Sequence, residues 1–304
     1  MNQHEFEQAV GRPLLSCESY REDLRDAIRS RRRWATGKIG GSERAWLIYP
    51  LVLASDADPR RIRAYELSVG FRSVRHAGIF PAEPAFQRRF ADAYVGSVRH
   101  LDALGLFSDS WLQQAQIVQA YSLRVPLVRF EDQEPDRSTP NREEACWLPA
   151  LRERRILLIC PFADLLAQRA NEETFEAVWA KTGKRWFHPA DVDALELPYG
   201  YEPATQARYE TALELLEEVK AEIDRRTFDV ALIAAGGLGI PIASFVKERG
   251  QVGISLGGHL QVLFGVLGER WRTREWLDRY VSDAWIDMPR GYRPDPALTG
   301  ENYW

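Results

Sequence analysis

The chain has 304 residues, 45% of them hydrophobic, a composition that suits a globular protein and excludes a disordered one. Forty Lys and Arg against 44 Asp and Glu leave a net charge of −4, which argues against a protein whose main work is gripping nucleic acid, although a local basic face stays open. Cys17, Cys146 and Cys160 are far apart, odd in number and form no C-x-x-C pair, so reduced thiols are expected rather than a disulfide framework or a zinc site. The polar start MNQHEFEQAV has no apolar leader segment, and the expected location is cytoplasmic.

The N-terminal half patterns as largely helical, with helices expected over Tyr20 to Arg33, Ser42 to Tyr49 and Pro84 to Leu104. Pro126 to Asn141, which includes Pro135 and Pro140, is rich in breakers and charge and reads as a linker or an active-site loop. Beyond it, strands and helices alternate. Ile156 to Cys160 is a continuous apolar run stopped by Pro161, the pattern of a strand covered on both faces. Phe162 to Lys181 reads as helical. Ala204 to Arg226 is the clearest helix, with Tyr209, Ala212, Leu213, Leu216, Val219 and Ile223 recurring at steps of three and four.

Phe228 to Ala235 predicts a second buried strand, followed by a glycine turn and a helix from Ile240 to Arg249 that stops at Gly250. The whole run from Val230 to Val246 approaches the length of a membrane span, but Gly236, Gly237, Gly239 and Pro241 interrupt it, so no transmembrane segment is expected. Gln251 to Leu256 predicts a third strand, and Gly257 and Gly258 turn the chain into a helix from His259 to Val266. The alternation implies an α/β fold, Rossmann-like, with a mostly parallel sheet flanked by helices and a ligand cleft at the carboxyl ends of the strands. A single domain over residues 1–304 is expected, its helical part (about 1–150) and its βαβ part (about 151–304) sharing that cleft.

Three glycine segments carry possible chemistry. In Gly37-Lys38-Ile39-Gly40-Gly41-Ser42-Glu43, the pair Gly40 and Gly41 admits a close ligand, and Ser42 can cap the following helix and leave its N–H groups facing an anion. Glu43 is then placed to hold a divalent cation on a diphosphate or to act as a base, or else it simply complements the helix dipole. In Ala234 to Pro241, Gly237, Gly239 and Ile242 fall on the positions of G-x-G-x-x-G, so the third glycine of a dinucleotide fingerprint is missing. A turn with Gly236, Gly237 and Gly239 still offers N–H groups to a phosphate, and a purely structural turn fits equally.

Gly253-Ile254-Ser255-Leu256-Gly257 matches the hydrolase elbow, but the last histidine of the chain, His259, lies only four residues on, so Ser255 reads as a strand residue. Gly257 and Gly258 bring His259 and Gln261 to where they can contact a base, a ribose or a sugar hydroxyl, the alternative being a buried, satisfied histidine. Arg25, Arg29, Arg31, Arg32 and Arg33 form either an anion-steering cluster or a solvated helix face. Trp111, Trp271 and Trp304 form either a platform for a sugar ring or packing residues.

Taken together, Gly37 to Glu43, Cys160-Pro161-Phe162-Ala163 with Gln168, Phe228 to Pro241, Ser255 to Gly265, Glu269-Arg270-Trp271 and the closing Glu301-Asn302-Tyr303-Trp304 resemble bacterial glycosyltransferases of the GT-D fold, in the same order over nearly the whole chain. The resemblance implies transfer of a sugar from a nucleotide-sugar donor, a UDP-sugar foremost, to a glycan, glycoprotein or other hydroxyl acceptor. It implies a donor site at Gly40, Gly41, Ser42, Gly236, Gly237, Gly239, Gly257, Gly258, His259 and Gln261, with Glu43 as catalytic residue and metal ligand. The family's D-x-E motif falls on Gly41, Ser42 and Glu43, so the glutamate is kept and the aspartate is absent. A Mn²⁺ or Mg²⁺ ion held by one carboxylate would depend on donor phosphates and water for its other ligands. The alternatives are a catalytically reduced nucleotide- or glycan-binding module and another nucleotide-dependent Rossmann enzyme, such as an oxidoreductase. No nucleic-acid partner is expected, and the sequence is compatible with a homo-oligomer.

Overall fold

A computed structural model describes residues 1–55, 58–134, 146–272 and 275–299. Two helices, α1 (Gln3–Val10) and α2 (Cys17–Ser30), precede the first strand. Among the described residues seven strands form one sheet: β1 (Trp34–Lys38), β2 (Ala103–Leu106), β3 (Leu127–Arg129), β4 (Arg155–Ile159), β5 (Asp191–Leu195), β6 (Val230–Ile233) and β7 (Val252–Ser255). Their spatial order is β3-β2-β1-β7-β6-β4-β5, and every neighbouring pair is parallel. The expected α/β, Rossmann-like architecture is therefore present. A separate parallel pair joins β8 (Val266–Leu267) to β9 (Ile286–Asp287).

The helices between the strands are α3 (Gly41–Leu53), α4 (Pro59–Ala77), α5 (Pro84–Arg99), α6 (Trp111–Ala120), α7 (Ala163–Arg169), α8 (Glu172–Val178), α9 (Pro203–Arg208), α10 (Ala212–Asp224), α11 (Gly239–Glu248) and α12 (His259–Leu263). Successive side chains of a strand point to opposite faces, and the two cores divide accordingly. Leu157, Ile159, Ala231 and Ile233 pack with Trp46, Phe90 and Tyr94 on one face. Ile156, Leu158, Val230 and Leu232 pack with Leu24, Leu166, Phe175 and Leu260 on the other. Both faces being covered is why β6 and Ile156–Ile159 of β4 read as unbroken apolar runs.

The structure departs from the sequence pattern in several places. Three of the seven strands, β1 to β3, lie in the half that patterns as helical. The helix expected to reach Leu104 ends at Arg99, and Ala103–Leu106 pairs instead with both β1 and β3. The segment Phe162 to Lys181 is two helices, because Asn171 caps the second by accepting from the Thr174 N–H at 2.9 Å. Ala204 to Arg226 is likewise divided, with Thr211 accepting from Glu214 N–H at 3.3 Å to start α10. Gly250, at φ 93°, ends α11 as its position predicts. Among the described residues no helix is long and apolar enough to cross a membrane.

β7 lies so close to α11 that a methyl group on Gly253 would stand 2.7 Å from the Ala243 carbonyl oxygen. Gly253→Ala is expected to cost about 1–3 kcal/mol, because backbone rather than a flexible side chain must give way. Urea unfolding measures it; an unchanged midpoint would show that the strand and helix separate freely.

Candidate functional site

The glycine segments meet because β1, β7 and β6 are neighbours and all point the same way. A Cβ on Gly37 would stand 2.5 Å from Ile240 and 3.3 Å from Ser255, and one on Gly239 would stand 2.5 Å from the Ser255 hydroxyl. One on Gly257 would be 3.8 Å from Lys38 Cε. Segments 37–41, 236–239 and 257–258 therefore converge at one edge, where ligands of open α/β sheets collect.

At that edge lies a charge cluster. Lys38, the last residue of β1, donates from Nζ to Glu134 Oε1 at 2.8 Å, and His259 Nε2 lies 2.9 Å from the same oxygen. All three side chains are buried, Glu134 completely. Glu134 arrives from β3, two strands away, on a 3₁₀ turn of residues Phe130–Gln133. Gln133 crosses β2 at Gly105, where a side chain on the glycine would collide with it, and donates from Nε2 to Thr36 Oγ1 at 2.6 Å and to the Gly37 carbonyl at 3.1 Å. Burial alone would raise the Glu134 carboxyl, but the adjacent Lys38 ammonium and the His259 ring, with their hydrogen bonds, hold it down at about 2.

Aromatic rings and further cations surround the cluster. Lys38 Nζ lies 3.9 Å from the centroid of Phe130, which stacks on Phe107 at 3.8 Å. Arg44 stands 5.4 Å from the Phe107 centroid and pairs with Asp109 at 3.7 Å. On the other side Arg270 packs against Gly258 and lies 4.4 Å over Trp271, whose ring meets His259 edge-on at 4.9 Å.

Glu43 folds back over Gly40 at the start of α3, accepting from the Gly40 N–H and from its own. A helix does start here, but Gly40 holds the cap position and no side chain caps it, so Ser42 lies inside the first turn instead of capping it. Burial pushes its carboxyl up to about 7 against the pull of those N–H groups and of Arg44. A carboxyl that titrates near neutrality is also suited to taking a proton from a hydroxyl. Among the described residues no group of three or more His, Cys, Asp or Glu is placed to hold a metal ion. The described side chains around Glu43 thus do not make a cation site by themselves.

Gly40 and Ser42 are half-buried and Gly41 is exposed at the end of β1. Gly236 is exposed, whereas Gly237 and Gly239 are buried; side chains there would strike Ile79 and Trp46, and Ser255, respectively. Gln261 is buried and donates to the Val266 carbonyl at 3.3 Å, within its own turn. Ser255 ends β7, as expected of a strand residue. The tryptophan platform does not form: Trp111 is buried against Phe6 and Trp271 against His259, so neither presents a face to a sugar, while Trp304 lies outside the described residues. Of the breaker-rich stretch, residues 135–145 lie outside the described residues, but its described part delivers Glu134. Lys38, Glu134, Arg44 and Arg270 were given no individual role by the sequence. The signals were the cationic residue inside the first glycine segment and the charge of the loop.

A second recess, of about 340 Å³, opens outside β4 and β5 and is lined by Pro161, Glu196, Tyr199, Glu202, Tyr292 and Arg293. Asp164 accepts there from the Tyr292 hydroxyl at 2.8 Å. Partial burial, then the neighbouring Asp164, push Glu196 up to about 7.

No protein-family model matches the chain, and no curated protein does. A solved structure of a selenomethionine-substituted domain of unknown function 1792 is similar, with 12% identity over 90% of this chain and 96% of that chain and a TM-score of 0.36.

Replacing Glu134 by Gln leaves the Lys38 ammonium buried without its counter-charge. We expect a loss of about 3–5 kcal/mol in urea unfolding at neutral pH; a loss below about 1 kcal/mol would mean that the pair is not a structural necessity. Glu134, depressed in the fold, contributes stability above the ordinary carboxylate range that disappears as pH falls toward about 2. Glu43 acts in the opposite sense. Its proton is kept in the fold up to about 7, so its contribution is complete below pH 4.5 and declines as pH rises through 7. Between about pH 5 and pH 8 the wild-type Tm should therefore fall relative to Glu43→Gln, and parallel Tm profiles would refute the shift.

Proposed function

We propose that the chain is a glycosyltransferase that moves a sugar from a nucleotide-sugar donor, a UDP-sugar foremost, to a hydroxyl acceptor on a glycan or glycoprotein. The observation that supports this most is the convergence of three glycine segments at the ends of β1, β6 and β7 beside Lys38, Arg44, His259 and Arg270. The resemblance of these same segments to GT-D glycosyltransferases supports it independently.

In this reading the donor diphosphate lies against Gly40, Gly41 and Ser42, where the N–H groups opening the thirteen-residue α3 face an anion. Gly236, Gly257 and Gly258 bound the donor from the neighbouring strand ends, Gly237 and Gly239 let those turns pack closely on Ile79, Trp46 and Ser255, and His259 orients the donor from within the cluster. Arg44 and Arg270 neutralise charge as the diphosphate departs. Glu43 accepts the proton of the attacking hydroxyl, a role for which a carboxyl near 7 is suited. Sugar transfer needs little beyond alignment of the hydroxyl with the anomeric carbon and stabilisation of the leaving group.

Incubation with a panel of nucleotide sugars, with and without Mn²⁺ or Mg²⁺, and mass spectrometry of the products is the direct test. Transfer or donor hydrolysis with at least one donor is expected; no turnover with any of them would sink the proposal, and tight donor binding without turnover would favour the binding-module alternative. Glu43→Gln should keep the fold and lose about 10²-fold or more in kcat. Wild-type kcat in that variant would remove Glu43 from the mechanism.

A further inference from the structure

We propose that α4 docks the protein on a membrane surface rich in anionic phospholipid. α4 carries Arg60, Arg61, Arg63, Arg72 and Arg75 against one acid, Glu66, in a chain whose net charge is −4. Glu66 accepts from the Tyr49 hydroxyl and offsets Arg63 alone, which leaves Arg60, Arg61, Arg72 and Arg75 without an acidic residue of this helix beside them.

The positions matter as much as the count. At about 100° per residue, Arg60, Ala64, Leu67 and Phe71 form one strip along the helix, with Arg63 on one flank and Arg75, Arg61 and Arg72 on the other, and all eight residues are exposed. The opposite face, Val69, Gly70, Ser73 and Ala77, is buried, and the helix packs on α3 and α5. Leu67 is 60% exposed and Phe71 53%, one helical turn apart, and among the described residues they are two of the four large hydrophobic side chains left so open. The Arg75 guanidinium lies 4.9 Å from the Phe71 centroid.

Two exposed apolar side chains on a strip headed by Arg60, with Arg63 on one flank and three arginines on the other, are the layout of a helix lying in a lipid interface. The strip enters the acyl boundary while the long flanking side chains reach the headgroup phosphates. Charge complementarity selects this occupant. A second copy of the chain would set five arginines against five, and a nucleic acid would leave Leu67 and Phe71 facing phosphate at the centre of the contact. The strand-end site takes no part in this face, so docking and sugar transfer stand or fall separately.

Co-sedimentation of the full chain with vesicles tests it. Wild type should pellet with vesicles of phosphatidylglycerol and phosphatidylcholine but not with phosphatidylcholine alone, and raising NaCl from about 0.1 M to about 1 M should weaken binding at least tenfold. Leu67→Ser with Phe71→Ser, and separately Arg61→Gln with Arg72→Gln, should each weaken it at least tenfold while circular dichroism stays unchanged. Absence of binding to the anionic vesicles, equal binding to both vesicle types, or undiminished binding by either double variant would overturn the proposal. So would tighter binding to duplex DNA than to the vesicles, or self-association through α4 with no vesicle binding.

Discussion

A lysine ammonium buried at the end of β1 obliges the chain to bring a carboxylate to it, since an unpaired cation there would cost several kcal/mol. Much of the local architecture answers that requirement. The partner, Glu134, comes from beyond β3, and its path crosses β2 where only a glycine, Gly105, leaves room for Gln133. The 3₁₀ turn sets Phe130 under the ammonium, and the same carboxylate oxygen then meets His259, which opens α12 just after β7. One buried charge thus ties together β1, β2, β3 and β7 at the edge where the glycine segments open.

Two glutamates at that edge are driven in opposite directions by the same loss of water. Glu134 has the Lys38 ammonium and the His259 ring within hydrogen-bonding distance and stays ionised far into acid. Glu43 has mainly backbone N–H groups, which do not offset its desolvation, so its proton is held near neutrality. Placing an always-charged carboxylate and an exchangeable one on the same side of a sheet separates holding charge in place from moving a proton.

The legible parts of the fold were those where one physical pattern dominates. Ile156–Ile159 and Val230–Ile233 are covered on both faces, so their side chains are uniformly apolar, and Val252–Ser255 departs from this only at Gly253 and Ser255. β5 escapes the same reading because, as an edge strand, it exposes Asp191 and Asp193 and has too few apolar residues to show a run. β1 is hidden by Thr36, Gly37 and Lys38, which are polar or small because they face Gln133, Ile240 and Glu134 rather than a continuous core. In the site the glycine segments could be read because each is local, and His259 could be placed beside them. Glu134 could not be paired with Lys38, since 96 residues separate them and the loop between carries no repeating pattern. The tryptophans misled for a simpler reason: polar neighbours in sequence do not make a ring exposed, and Trp111 and Trp271 fill cores.

The strand order also fixes when the molecule can close. β1 pairs with β7 through Trp34 and Val252, while β7 meets β6 on its other side. Before residues 252–255 have been synthesised, the chain can build only β3-β2-β1 and β6-β4-β5, two three-stranded halves, each with an unfilled edge. The strand that fills both edges is followed at once by His259, which closes on Glu134. Completion of the sheet and assembly of the charge cluster are therefore one event, reached only after five-sixths of the chain exists.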